Sequence, residues 1–108
     1  DTFAPVGPWL VTPDEISNIN DLRLWLTVNG KTMQDGNSKN LIFKIPFLIA
    51  YLSEFMTLLP GDIITTGTPA GVGLGQKPAP VYLKAGDVVE LGIDGLGQAK
   101  QTLVAWSR

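Results

Sequence analysis

A chain of 108 residues has the length of one domain, and its 17% of charged side chains falls below the usual quarter, which implies surface hidden against a further segment or a partner subunit. The net charge of −2, with no run of like charges, excludes the basic stripe of a nucleic-acid binder, and no stretch is apolar for long enough to cross a bilayer. Without cysteine or histidine, the chain has no disulfide framework, no thiolate metal site and not the commonest general base.

The chain opens Asp1-Thr2-Phe3 with no initiator Met, and we expect a fragment or a processed product. Pro5, Gly7 and Pro8 predict a constrained loop up to Trp9. Residues 9–12 predict a short strand, and Pro13-Asp14-Glu15-Ile16 a turn or single helical turn with Thr12 as its N-cap. Over residues 22–28, Leu22, Leu24, Leu26 and Val28 alternate with Arg23, Trp25 and Thr27, the period of a half-buried strand. Asn29-Gly30 tolerates positive φ at both positions and predicts a tight hairpin turn. Residues 31–34 are then the return strand, and Asp35-Gly36-Asn37 a second turn.

Residues 45–57 predict the one substantial helix. Ile45, Leu48, Ile49, Leu52, Phe55 and Met56 recur at spacings of three and four, and Pro46 fits the first turn. The segment 41–59 is too interrupted to span a membrane, since it contains Lys44, Pro46, Ser53 and Glu54. Leu59-Pro60-Gly61-Asp62 stops the helix. Ile63-Ile64-Thr65-Thr66 predicts a short buried strand that would present the loop 67–80, which holds four glycines and three prolines. Residues 87–93 and 98–106 predict a hairpin around Asp94-Gly95. About six strands and one helix make an α+β, mainly β fold with mostly antiparallel pairing.

Chemistry concentrates in Thr66-Gly67-Thr68-Pro69-Ala70-Gly71-Val72-Gly73-Leu74-Gly75. Small residues let a ligand approach the backbone, and the hydroxyls of Thr66 and Thr68 with neighbouring N–H groups can bind a carboxylate. The plainer reading is a Gly-rich connection without a ligand. A dinucleotide fingerprint fails for want of its third glycine, and a phosphate loop fails because Lys77 lies between Gln76 and Pro78. Asp62, Asp87 and Asp94 suit turns better than metal ligation, and no pair of carboxylates has the spacing of an oxygen-ligand metal site. Gln34, Asp35 and Asn37 either are solvated or face a cleft, and the sequence favours solvation. Trp9, Trp25 and Trp106 suit packing, with Trp25 on the polar side of its strand pointing to a covered second face.

Several stretches together resemble the fumarylacetoacetate hydrolase family: Asp1-Thr2-Phe3-Ala4-Pro5-Val6-Gly7-Pro8-Trp9, Val28-Asn29-Gly30 with Gln34-Asp35-Gly36-Asn37, Leu41-Ile42-Phe43, Leu48-Ile49-Ala50-Tyr51-Leu52-Ser53, and above all the run from Pro60-Gly61-Asp62 to Gly71-Val72-Gly73. The resemblance covers nearly the whole chain in the expected order. It implies the C-terminal half of a mixed β-roll catalytic domain, a homodimer, and 2-oxo acid chemistry assisted by Mg2+ or Mn2+; the absence of cysteine is compatible with a cytoplasmic setting. In the family the Glu-x-Glu and Asp metal ligands, a His/Glu pair that activates water, and a substrate-holding lysine lie upstream of the position of Asp1. Residues 1–108 are therefore expected to need the missing N-terminal part, to contribute no catalytic or metal-binding residue, and to be inactive alone.

What carries over is substrate binding, by Thr68 and the Gly67 backbone, with Thr66 and Gln34 as weaker candidates. Leu74-Gly75-Gln76-Lys77-Pro78 and Val81-Tyr82-Leu83-Lys84-Ala85-Gly86 look like members acting on 2,4-dioxo sugar acids. The expected activity of the parent is hydrolysis of a carbon–carbon bond in an acylpyruvate-type substrate. The alternatives are an oxaloacetate decarboxylase or tautomerase, a 2-hydroxy-diene-dioate isomerase, or a non-catalytic β-rich binding module.

Overall fold

A computed structural model of the chain describes residues 3–107. Its centre is one antiparallel sheet of four strands: β1 (Arg23–Val28), β2 (Lys31–Asn37), β3 (Val88–Ile93) and β4 (Gly97–Thr102), in the order β2-β1-β3-β4. One helix, α1 (Ile45–Ser53), and three short 3-10 turns at Pro13–Glu15, Ser38–Asn40 and Gly73–Gly75 complete the regular elements. The expected α+β, mainly β class holds, with four strands among the described residues rather than about six.

Register explains how the faces divide. Leu24, Leu26 and Val28 of β1 stand opposite Ile93, Leu91 and Val89 of β3, so one face is a continuous aliphatic layer. On the other face Trp25 lies over Gly92, where an added Cβ would come within 2.8 Å of the indole Cζ2. The tryptophan expected to mark a covered second face thus covers it itself.

The hairpin turn forms as its sequence predicts, with Asn29 at φ 51° and Gly30 at φ 78°. Asn29 also ties this turn to β3. Its side-chain oxygen accepts from the Val88 N–H at 2.9 Å, and its Nδ2 donates to Asp87 Oδ1 at 3.0 Å. Asp87 Oδ2 accepts from the Lys84 N–H at 2.9 Å. These bonds to the charged form hold the Asp87 carboxyl below the usual carboxylate range, the Asn29 bond contributing most.

Several expectations need correction. Residues 35–37 are not a turn but the second half of β2, because Arg23 pairs across the ladder with Asn37 and grips Asp35 through a two-pronged contact at 2.9 and 3.2 Å. Residues 9–12 and 63–66 form no strand. Their extended, β-branched composition suits a sheet, but a strand exists only where a neighbour takes its N–H and C=O groups, and the sheet ends at β2 and β4. Ile63 is exposed and Ile64 only half-buried, so the segment is not a buried strand either. β4 ends at Thr102 rather than at Trp106: Leu103 still bonds Asp87 and Gly86, at 2.9 and 2.8 Å, but no described neighbour takes up the backbone groups of Val104 and Ala105.

The helix ends at Ser53 rather than Thr57. Ser53 Oγ donates to the Ala50 carbonyl at 2.7 Å, the acceptor that the Glu54 N–H would use, and Glu54 bonds Tyr51 instead. Thr12 stands at the N-cap of the first 3-10 turn without a side-chain cap bond to the backbone.

The sheet leaves much apolar surface open. Among the described residues Val89, 7% exposed, is the only buried hydrophobic side chain. Phe43, Phe47, Tyr51 and Phe55 form an exposed ladder along α1, with ring centroids 5.1, 6.0 and 5.1 Å apart. The total accessible surface is 8786 Å², whereas a compact monomer of this mass exposes about 5,800 Å². The radius of gyration, 15.8 Å, likewise exceeds the roughly 13 Å expected at this length.

Two stability predictions follow from the Asn29 tie. Asn29→Gly loses the side-chain bonds but relieves the left-handed strain on a Cβ, whereas Asn29→Ala loses the same bonds and keeps a Cβ at φ 51° without the polar side chain that lets asparagine tolerate that region, a difference between the two variants of about 1–2 kcal/mol. Urea denaturation should therefore rank the wild type above Gly and Gly above Ala; equal losses would refute the account. Because the folded-state pKa of Asp87 is lowered, its contribution is present above the unfolded pKa and is lost as the pH falls through the folded value. Asp87→Asn should flatten the acid side of the stability–pH curve, with the difference from wild type shrinking towards low pH.

Candidate functional site

The glycine-rich loop is held from the side, by β2, and not from behind by a preceding strand. Gly71 lies so close to β2 that a Cβ there would collide with the Met33 carbonyl and come within 3.1 Å of Gln34 Cγ. Its φ of 114° also belongs to glycine alone. Two residues earlier Pro69 rests on Gly36, where a Cβ would come within 2.7 Å of the proline ring. At the far end Gly73 lies against the Val81 carbonyl, and its own carbonyl accepts from the Val81 N–H at 2.9 Å. Gln76 closes the loop on itself, Nε2 donating to the Gly71 carbonyl at 2.9 Å.

This packing brings Gln34 to Thr68. The Gln34 amide nitrogen donates to Thr68 Oγ1 at 2.9 Å and to the Pro69 carbonyl at 2.7 Å. Two of the residues singled out from the sequence are therefore in direct contact, although they lie on different elements. The solvated reading of Gln34 gives way to a half-buried side chain bonded to the loop, while Asp35 stays on the surface in its pair with Arg23. That pair holds the Asp35 carboxyl below its ordinary range, the hydrogen bond contributing most.

Thr66, Gly67 and Thr68 are exposed. Gly67 turns the chain with φ 95°, and an added Cβ there would meet nothing within 4 Å. Neither the Gly67 nor the Thr68 amide donates to another described residue. The loop from Thr66 to Gly75 carries no charged side chain. It offers hydroxyl and backbone donors to an acceptor in solution, which suits a carboxylate better than a cation. Among the described residues no three His, Cys, Asp or Glu side chains gather as a metal would require.

Sequence reasoning missed the ties that make this arrangement rigid. Gln76 lay inside a segment legible only as a loop. Gln34 faces the loop because Met33 is an extra residue in β2, and nothing in the local alternation marks it: Leu26 pairs with Gln34 but Thr27 with Thr32.

The chain matches the family model described as "Fumarylacetoacetate (FAA) hydrolase C-terminal" over residues 1–104. It is 58% identical over 106 residues to a 2,4-didehydro-3-deoxy-L-rhamnonate hydrolase of a Sphingomonas species, covering 98% of this chain and 37% of that protein. Among solved structures it is similar to a fumarylacetoacetate hydrolase of Exiguobacterium antarcticum, at 42% identity and TM-score 0.93, over 98% of this chain and 38% of that one. It is also similar to a maleylpyruvate hydrolase of Sphingobium sp. SYK-6 in complex with manganese(II) and pyruvate, at 43% identity and TM-score 0.85, over 96% of this chain and 36% of that one. The chain thus spans little more than a third of the length of these relatives.

The approach of Gly71 to Met33 predicts a graded cost. Gly61→Ala, at φ 98° with open space around the new Cβ, bears backbone strain alone, about 1–3 kcal/mol. Gly71→Ala bears the strain and must also push the loop off β2. It should lower the denaturation midpoint further than Gly61→Ala; equal shifts would show that the loop does not lean on the strand.

Proposed function

This chain belongs to the fumarylacetoacetate hydrolase family, and on that footing we propose that it is the C-terminal part of the catalytic domain of a hydrolase that cleaves a carbon–carbon bond in a 2,4-dioxo acid. Its part in the reaction is to hold the substrate carboxylate. An ionised carboxylate only accepts hydrogen bonds, so its site must supply donors. The exposed Thr68 hydroxyl and the unengaged amides of Gly67 and Thr68 are such donors, gathered at one turn of backbone. That gathering carries the reading. Thr66 stands beside it as a further hydroxyl, and Gln34 behind it.

The substrate class rests on the 58% identity with a protein whose name describes a hydrolase of a didehydro-deoxy sugar acid. The described residues do not fit a metal. A divalent cation, Mg2+ or Mn2+, and the base that activates water belong in this reading to parts of the full-length protein outside this chain. The large open apolar surface supports it, since the rest of the protein and a second subunit would cover that surface. What residues 1–108 do alone is bind and orient; they leave the bond-breaking step to groups they do not contain.

The test uses the full-length protein with 2,4-dioxo sugar acids and acylpyruvates, reading the release of pyruvate together with the carboxylic acid formed from the acyl half. Thr68→Val should raise KM and lower kcat/KM by about 10- to 100-fold, the value of one hydrogen bond to a charged group, while Thr68→Ser should keep most of the activity. A rearranged product of unchanged mass would replace hydrolysis by isomerisation. An unaffected Thr68→Val enzyme would overturn the carboxylate site.

A further inference from the structure

The Gln34–Thr68 contact has a direction, and that direction sets what the threonine can bind. Pro69 O can only accept, so the Gln34 atom 2.7 Å from it is the amide nitrogen. The same nitrogen stands 2.9 Å from Thr68 Oγ1 and gives it the second amide proton. The hydroxyl oxygen therefore spends an acceptor site on Gln34, and its own proton must point elsewhere. Among the described residues that hydroxyl has no acceptor, and Thr68 is exposed.

We infer that Gln34 is a positioning residue which, by occupying one of the two lone pairs of the Thr68 hydroxyl, biases it outward as a donor and so favours an anionic acceptor. The inference rests on the carboxylate reading of the loop and assigns a role that binding to substrate would not require. Three features support polarity control over simple stapling. Both protons of the Gln34 nitrogen are already engaged, so it has no donor left for a ligand. The bond to the Pro69 carbonyl would suffice to staple the loop, and the bond to Thr68 is additional. The extra residue Met33 reverses the alternation of β2 at this point. Gln34 shares a face with Leu26, and Gly36 beside it receives Pro69. Strict alternation from the hairpin turn would have put Gln34 on the opposite face.

A double-mutant cycle in the full-length enzyme separates the possibilities. Gln34→Met has nearly the same length and donates nothing. We expect it to raise KM for the 2-oxo acid about tenfold with a smaller change in kcat, and to raise KM no further in a Thr68→Val background. An equal rise in both backgrounds would make Gln34 a structural staple and overturn the inference. Unchanged KM in Gln34→Met, with KM raised in Thr68→Val, would also overturn it while leaving the carboxylate site standing. Unchanged KM in Thr68→Val would remove both. Should Gln34→Met fail to fold, Gln34→Glu takes its place. Its carboxylate accepts from the Thr68 hydroxyl and turns the lone pairs outward, and the same cycle with Thr68→Val cancels the direct effect of its charge.

Discussion

Between Gly71 and the Met33 carbonyl there is no room for a side chain, and the rest of the site depends on that closeness. Two backbones meet with nothing between them, which fixes the loop to the strand more rigidly than a layer of side chains would. Pro69 then falls on Gly36, and Gln34 reaches two atoms of the loop at once. Glycine has two distinct uses here. At Gly71 and Gly36 its missing Cβ permits contact; at Gly67 its positive φ turns the chain in open space. A loop rich in glycine is commonly mobile, and this one leans on its neighbours where Gly71 and Gly73 are spent on approach.

The strand that holds the loop is itself an edge of the sheet, so its position has to come from elsewhere. β1 supplies it through the ladder, and the Asn29–Asp87 contact binds the turn between β1 and β2 to the start of β3. The link crosses 58 residues of sequence. The hairpin that carries Gln34 is thereby anchored at its tip to the inner strand, although β2 pairs with only one neighbour. The exposed pair of Arg23 and Asp35 adds little to this, because both groups are about half exposed and water screens them.

How much of this the sequence discloses depends on whether the information is local. The hairpin turn, β1, the hairpin of β3 and β4, and the start of α1 follow from alternation, Asn29-Gly30, Asp94-Gly95 and Pro46, each contained within a few residues. The failures are those of partnership. Residues 9–12 and 63–66 have strand composition but no neighbour to pair with, and composition cannot report that. The early end of α1 depends on a serine rotamer that takes one carbonyl. The extra residue in β2 is the most consequential omission. Met33 looks like any other residue of a strand, yet counting across it by twos assigns Gln34 to the wrong face. Thr68 was legible as a hydroxyl in a glycine-rich loop, but its partner was not.

The division of labour that results has a physical logic. A loop without charges can bind a carboxylate only by the direction of its dipoles, and dipoles are useful only when fixed. A lysine or arginine in this place would attract an anion from any angle. A threonine hydroxyl free to rotate would offer its proton or its lone pairs indifferently, to a carboxylate or to a water. Holding its oxygen from behind with an amide occupies one of its two lone pairs and narrows that freedom before the ligand arrives, so less ordering would remain to be done on binding. In the proposed carboxylate site the selectivity would then reside not in the residue that touches the ligand but in the one behind it, whose own direction depends on a single additional residue in an edge strand.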